Sequence, residues 1–267
     1  MMQLGKFFLR NTSWYYLYRY LKYLQEFGVS NRCINCPEKD IVVCGMPRSG
    51  STLLYNILKI ILTKTLEMED GFCFVEKEYT NKMNNQNIYH LRKIHIFSFL
   101  LAKRIKTDKT IGFFTHRDIR DVIVSLIQKK WITDFDEFIE SGRLHRIVYT
   151  SLLYAKTKNM HVFSYDELLH NKEEAMRRVL RILNLELDTT LIEHLIKETS
   201  IGNTQRKIAQ NKYIIKSDKV IYNPATGLHK NHIQDPRTGK WKEFLSREQI
   251  KIVNKIAKEY IYFFNYE

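Results

Sequence analysis

The chain has 267 residues and a formal net charge of +14, with 43 Lys and Arg against 29 Asp and Glu. That length suits one α/β domain with a sizeable core and is short for two, while the charge calls for an acidic partner: nucleic acid, an anionic membrane surface or a polyanionic small molecule. No apolar run approaches the roughly 18–20 residues that span a bilayer, and four scattered cysteines point to a reducing, cytoplasmic setting rather than a disulfide scaffold.

At the N-terminus, Trp14, Tyr15, Tyr16, Tyr18 and Tyr20 interleave with Arg10, Arg19 and Lys22, and Phe7, Leu17, Leu21 and Leu24 add a helical apolar stripe. We expect a helical extension over 1–35, packed on the domain with its basic face in water. Peripheral contact with anionic lipid is the other use of such a mixture. No charge-poor core or small-residue cleavage site follows, so the stretch does not read as a secretory signal. Cys33 and Cys36 form a single C-x-x-C with no second pair, which is too little for a metal site.

Ile41–Leu54, IVVCGMPRSGSTLL, organises the rest. Ile41, Val42, Val43 and Cys44 read as a buried strand. Gly45 and Pro47 break it, and Ser49-Gly50-Ser51-Thr52 opens an apolar-periodic helix. Strand, glycine turn and helix start together aim backbone N–H groups and a positive helix end at one anion-sized spot. Gly45, Gly50 and Thr52 keep the spacing of a nucleotide-binding G-x-x-x-x-G-K-[ST] loop, with Ser51 where its lysine would stand. Arg48 is the cation available to replace that lysine.

The PRSGST run after a buried strand resembles the 5′-phosphosulfate loop of the sulfotransferases that use 3′-phosphoadenosine 5′-phosphosulfate (PAPS). In that family many cytosolic members carry lysine at the position of Arg48, and carbohydrate-type and many bacterial members carry arginine. The resemblance implies that Arg48, Ser49, Gly50, Ser51 and Thr52 hold the 5′ end of PAPS.

Thr52–Leu66 is expected to be helical, with Leu53, Leu54, Ile57, Leu58, Ile61 and Leu62 toward the core. Residues 67–90 are polar and weakly patterned, and the resemblance makes them part of the acceptor pocket. Lys93-x-His95 then resembles the family's K-T-H motif, with Ile94 for threonine and no proline soon after. On that likeness His95 is the base that takes the acceptor's proton, a task suited to an imidazole with a pKa near 6.5. His90 and His116 are weaker candidates, and Glu67, Glu69 and Asp70 stand where some members use a carboxylate.

Thr110–Leu126, TIGFFTHRDIRDVIVSL, reads as a strand over Ile111–Thr115 and a helix starting at Asp121. Arg117 at the strand end and Ser125 two turns into the helix suit a phosphate monoester. Their interval, with Asp121 between, resembles the family's 3′-phosphate motif R-x-P-x-D-x-x-x-S, with Ile119 for proline. Leu126–Thr157 reads as helical, with Trp131 and Phe135 as core or pocket residues. His161–Tyr165 reads as a strand followed by a helix over Glu173–Leu183, and the resemblance lays Tyr165 against adenine. Residues 200–240 read as a long irregular, lid-like stretch. Within it, the region around Gly239 and Trp241 resembles the family's closing loop, leaving Lys230, Arg237 and Lys240 as equal candidates for the 3′-phosphate. Arg247–Phe264 reads as one amphipathic helix.

The expected fold is α/β and P-loop-like: three layers, with a central parallel sheet flanked by helices, over residues 36–267. The expected reaction moves a sulfuryl group from PAPS to a hydroxyl or amine of a small-molecule or glycan acceptor, without metal and without a nucleic-acid partner. A P-loop kinase or NTPase would want the missing lysine and a Mg²⁺-binding acid, for which only Asp118 or Asp121 are at hand. A non-catalytic basic binding module would explain the charge and leave two spaced anion motifs unexplained.

Overall fold

The computed structural model describes residues 40–65, 68–70, 89–186, 188–210, 214–215, 221–222, 226–228 and 235–266. The expected N-terminal extension and its lipid contact, Cys33 and Cys36, Glu67, most of 67–90, and Lys230 lie outside the described residues.

Ile41, Val42, Val43 and Cys44 expose no surface. A run apolar on both faces is stable only as an interior strand, and it forms β1 (Asp40–Gly45). β2 (Met68–Asp70), β3 (Tyr89–Ile94), β4 (Thr110–His116) and β5 (Met160–Ser164) join it in one five-stranded sheet, parallel throughout, in the order β2-β3-β1-β4-β5. Between and after these strands come α1 (Ser51–Thr65), α2 (Phe99–Lys106), α3 (Ile119–Gln128), α4 (Phe135–Glu140), α5 (Arg143–Ala155), α6 (Tyr165–His170), α7 (Lys172–Ile182), α8 (Thr189–Glu198) and α9 (Ile201–Gln210). The two-residue strands β6 (Ile214–Ile215) and β7 (Ile221–Tyr222) pair antiparallel, and α10 (Trp241–Phe244), α11 (Arg247–Ile256) and α12 (Lys258–Phe263) close the chain.

Side chains alternate across a strand, and this sorts the core into layers. Ile41, Val43 and Phe113 pack with α1, α7 and α8 on one face. Val42, Cys44 and Phe114 pack with Phe97, α2 and Tyr154 of α5 on the other. The expected three-layer α/β arrangement is the one that forms. A third apolar cluster gathers α3, α4, α5, α11 and α12 beside the sheet.

Several expectations about elements need correction. Leu126–Thr157 is not one helix: α3 stops at Gln128, Lys130 adopts a left-handed φ of 59°, Asp134 caps α4, and Gly142 at φ 73° separates α4 from α5. Left-handed residues cannot continue a right-handed helix. Trp131, in the first of these breaks, is 42 % exposed and not a core residue, whereas Phe135 does pack on the third cluster. α3 begins at Ile119, ahead of Asp121, because the Asp118 carboxylate accepts from the Arg120 amide and caps it. Residues 201–210 are helical rather than irregular, with Ser200 Oγ accepting from the Asn203 amide at their start. The C-terminal helix is two, parted at Ala257.

Candidate active site

Parallel strands present their carboxyl ends together, and the crevice beyond those ends is where such sheets bind ligands. Here Arg48 follows β1, His95 follows β3, Arg117 follows β4 and Tyr165 follows β5, and these four strands are neighbours in the sheet. The sheet order thus brings together residues that are up to 117 positions apart.

The loop after β1 needs both its glycines. A Cβ on Gly45 would collide with Thr115 Oγ1 and lie 2.9 Å from Ser51 Cβ. Gly50 has a φ of 89° and sits against the Tyr165 ring. Arg48 itself takes a φ of 65°, a conformation that costs a non-glycine residue about 1–3 kcal/mol and collects at functional loops. Ser49 Oγ donates to the Met46 carbonyl (2.7 Å) and is 2.7 Å from Thr115 Oγ1, so its hydroxyl ties the loop to β4. Ser51 and Thr52 are buried in the first turn of α1, where unsatisfied amides face an incoming anion.

Arg48 Nε donates to Ser125 Oγ at 2.9 Å. Arg117 is 3 % exposed; its Nη2 donates to the Arg237 carbonyl (2.7 Å), its guanidinium lies 3.9 Å from the centre of the Tyr165 ring, and its buried Nε has no hydrogen-bond partner among the described residues. Asp121 organises the closing loop: its carboxylate accepts from the amides of Gly239 (2.7 Å) and Trp241 (3.0 Å) and lies 3.9 Å from Arg117. That anchorage turns Lys240 inward, 2 % exposed, with Nζ donating to Gln128 Oε1 (3.0 Å). Arg237 points away, its guanidinium held by Asp235 and Glu243 and 57 % exposed. Of the two candidates in the described part of this loop, only Lys240 turns its side chain inward; Arg237 meets Arg117 through its backbone carbonyl alone.

His95 Nδ1 is 2.6 Å from the Gly45 carbonyl. A carbonyl can only accept, so Nδ1 carries the hydrogen and the neutral ring keeps Nε2 as its basic nitrogen. Burial, helped by Lys93, pushes the His95 pKa down to about 3. Burial and Arg48 bring Lys93 down to about 7. Lys129, at the end of α3, falls to about 8 for the same two reasons, and Lys240 to about 8 through burial and Arg117. Arg48 is lowered to about 10 by burial and Arg117. Cations that depress one another in this way form a pocket short of negative charge. Lys93 and Lys129 are missing from the sequence-derived site. The K-x-H spacing could have flagged Lys93, whereas nothing local marks Lys129.

A family model for the sulfotransferase domain matches residues 38–264. The chain belongs to that family. No curated protein matches it. Among solved structures, this sulfotransferase-family chain resembles retinol dehydratase in complex with androsterone and inactive cofactor PAP (TM-score 0.65, 15 % identity, 90 % of this chain and 85 % of that one). It also resembles mouse sulfotransferase SULT7A1 complexed with PAP (TM-score 0.64, 13 % identity, 87 % and 88 %). A third similar structure is a putative steroid sulphotransferase of Arabidopsis thaliana (TM-score 0.52, 16 % identity, 88 % and 81 %). These likenesses establish the fold.

The acids that a kinase would need are engaged elsewhere in the sulfotransferase domain: Asp118 with Arg120, and Asp121 with the closing-loop amides. The weaker histidine candidates also have structural surroundings. His116 stacks on Phe264 (3.8 Å) and its Nδ1 is 2.8 Å from the Tyr266 hydroxyl, while His90 is buried in β3. Glu69 and Asp70 belong to the edge strand β2. Among the described residues no cluster of His, Cys, Asp or Glu could hold a metal ion, and no helix is long and apolar enough to cross a membrane.

Proposed function

We propose that this protein transfers a sulfuryl group from PAPS to a hydroxyl or amine on a small-molecule or glycan acceptor, releasing adenosine 3′,5′-bisphosphate. One observation carries the reading. The 2.9 Å bond from Arg48 to Ser125 joins two anion motifs 77 residues apart, and the buried Nε of Arg117, in the second motif, has no hydrogen-bond partner among the described residues. The donor is a polyanion with phosphates at both ends of an adenosine, which fits a pocket of mutually repelling cations. Retinol dehydratase and SULT7A1, both solved with PAP, lend support through shared architecture.

Arg117, with Ser125 and Lys240, would grip the 3′-phosphate and so select this donor over ATP. Tyr165 has one face under Arg117 and would present the rest of its ring to adenine. Amides at the start of α1, with Ser51 and Thr52, would hold the 5′-phosphate. His95 Nε2 would take the acceptor's proton as the new O–S bond forms and the bond from sulfur to the 5′-phosphate oxygen breaks. Arg48 would leave Ser125 and neutralise that departing oxygen, while Lys93 offsets charge on the sulfuryl oxygens. The arriving negative charge cancels the repulsion from Lys93, so it also raises the basicity of His95 at the moment a base is needed. The expected small-molecule acceptor gains support from the androsterone bound to retinol dehydratase.

Calorimetric titration with adenosine 3′,5′-bisphosphate, and separately with ATP and Mg²⁺, tests the donor. Arg117→Ala should weaken bisphosphate binding roughly 10- to 100-fold, the worth of a lost charge-assisted contact. His95→Ala should bind the bisphosphate normally and lose transfer by about 10²- to 10⁴-fold. ATP binding with no preference for a 3′-phosphate would sink the proposal.

A further inference from the structure

Three residues of the candidate site are spaced along α3. Arg117 precedes its N-terminus, Ser125 lies two turns in, and Lys129 follows its last residue. Ser125 and Lys129 are four apart, so they share one face of the helix, with Lys129 about 6 Å farther from Arg117 along the axis. The Lys129 amide donates to the Ser125 carbonyl (3.2 Å), which keeps that turn helical as far as Lys129. Arg48 is fastened to the same face through Ser125 Oγ. Along this line the donor reading uses Arg117, Ser125 and Arg48, and stops there.

Lys129 remains. Its Nζ is buried and has no hydrogen-bond partner among the described residues. A buried ammonium without a partner is costly, and proteins keep one where a ligand supplies the missing acceptor. Lys129 also senses different neighbours from Lys240. Lys240 is depressed by Arg117 ahead of its other charged neighbours, which ties it to the 3′-phosphate end, whereas the charge that depresses Lys129 among the described residues is Arg48. Lys129 stands one turn beyond Ser125 on the side away from Arg117, so the line of cations continues past Arg48, where an acceptor reaching sulfur opposite the departing phosphate would meet it. Lys93, also depressed by Arg48, acts on His95 from the neighbouring strand end.

We propose that Lys129 is an acceptor-binding residue, and that the acceptor carries an acidic group (carboxylate, sulfate or phosphate) beside the hydroxyl or amine that is sulfated. The inference rests on the donor reading above, since it is the donor that would occupy Arg48, Arg117 and Lys240 and leave Lys129 unsatisfied. It narrows the acceptor class: a neutral sterol-like alcohol leaves the ammonium buried and unpaired, whereas an acidic sugar or an aromatic acid satisfies it.

The test uses the full chain saturated with adenosine 3′,5′-bisphosphate and titrated calorimetrically with benzoate, phenyl sulfate and phenyl phosphate, against benzyl alcohol as the neutral probe. The best of the three anions should bind at least about tenfold tighter than benzyl alcohol, as one charge-assisted hydrogen bond provides. Lys129→Met should erase that preference and Lys129→Arg should retain part of it. Bisphosphate affinity should stay within about threefold in both variants, because the donor's own contacts are intact. Anions that bind no better than benzyl alcohol, or a Lys129→Met protein that keeps the preference, would overturn the proposal. So would loss of bisphosphate affinity in Lys129→Met, which would make Lys129 a donor ligand. Failure of the donor reading itself shows separately, as wild-type protein that does not bind the bisphosphate before any probe is added.

Discussion

Burial and mutual repulsion hold Lys93 near pKa 7 and Lys240 near 8, so both lose their protons in the range where an ordinary lysine is fully charged. A bound polyanion favours their charged forms and must raise both pKa values. On the proposed reading, donor binding is thereby linked to proton uptake. Affinity should be highest below the ligand-free pKa values and fall as pH rises through about 7 to 8 and beyond. Calorimetry of bisphosphate binding at pH 8 in buffers of differing ionisation enthalpy should report a net uptake. Proton release, or affinity unchanged between pH 7 and 9, would show that these lysines do not meet the ligand. His95 behaves differently: with its pKa near 3, it needs no deprotonation to act as a base at neutral pH.

Elements matter here through their ends. Each of β1, β3, β4 and β5 delivers one site residue or loop at its carboxyl end, and α3 ties them together by contributing Asp121, Ser125 and Lys129 from one helix. Asp121 is the hinge between helix and closing loop. Burial raises its carboxyl pKa, and the Gly239 and Trp241 amides with Arg117 pull it back. Asp121→Ala leaves two amides without an acceptor and releases the loop that carries Lys240. Bisphosphate affinity should fall by roughly 10-fold or more, with a smaller loss of stability of about 1–3 kcal/mol for the unsatisfied groups. Titration and denaturant unfolding of the same variant separate the two effects. An unchanged affinity would mean that Lys240 reaches the site without this anchor. The C-terminal segment supports the same region from behind: the Tyr260 hydroxyl donates to the Arg117 carbonyl at 2.7 Å, and Arg120 Nη2 donates to the Tyr266 carbonyl.

Acid should be the weakness of the molecule as a whole. His95 and His116 are held by burial near pKa 3, and His145 near 4, against about 6.5 in the unfolded chain. Their folded-state pKa values are lowered, so the unfolded chain binds more protons below pH 6.5 and stability falls as pH drops toward 4. Each such proton is worth up to about 1.4 kcal/mol per pH unit. A formal charge of +14 adds self-repulsion that grows as carboxylates protonate. Thermal melting should therefore shift steadily downward from pH 7 to pH 5. Replacing His116 by Phe, which can still stack on Phe264, should flatten that slope, and a melting temperature flat across the range would refute the account.

The sequence alone determined the architecture and the position of the anion motifs. A β-branched run, a glycine turn and a capped amphipathic helix are decided by forces acting within a few residues, and those residues carry their signals in order. The places of Arg48, Arg117 and Ser125 at strand ends and on the following helix were legible because each sits at a fixed offset from such a signal. Tertiary structure decided the rest. Lys240 rather than Arg237 faces Arg117 because Asp121, more than a hundred residues earlier, holds two amides of the closing loop. His95 keeps Nε2 as its basic nitrogen because the Gly45 carbonyl, 50 residues away, accepts a hydrogen bond from Nδ1. Lys129 looks from its sequence neighbours like any lysine after a helix, and only the packed surroundings leave its ammonium buried without a hydrogen-bond partner among the described residues. Burial and electrostatic field are sums over neighbours in space, which no local pattern of residues records.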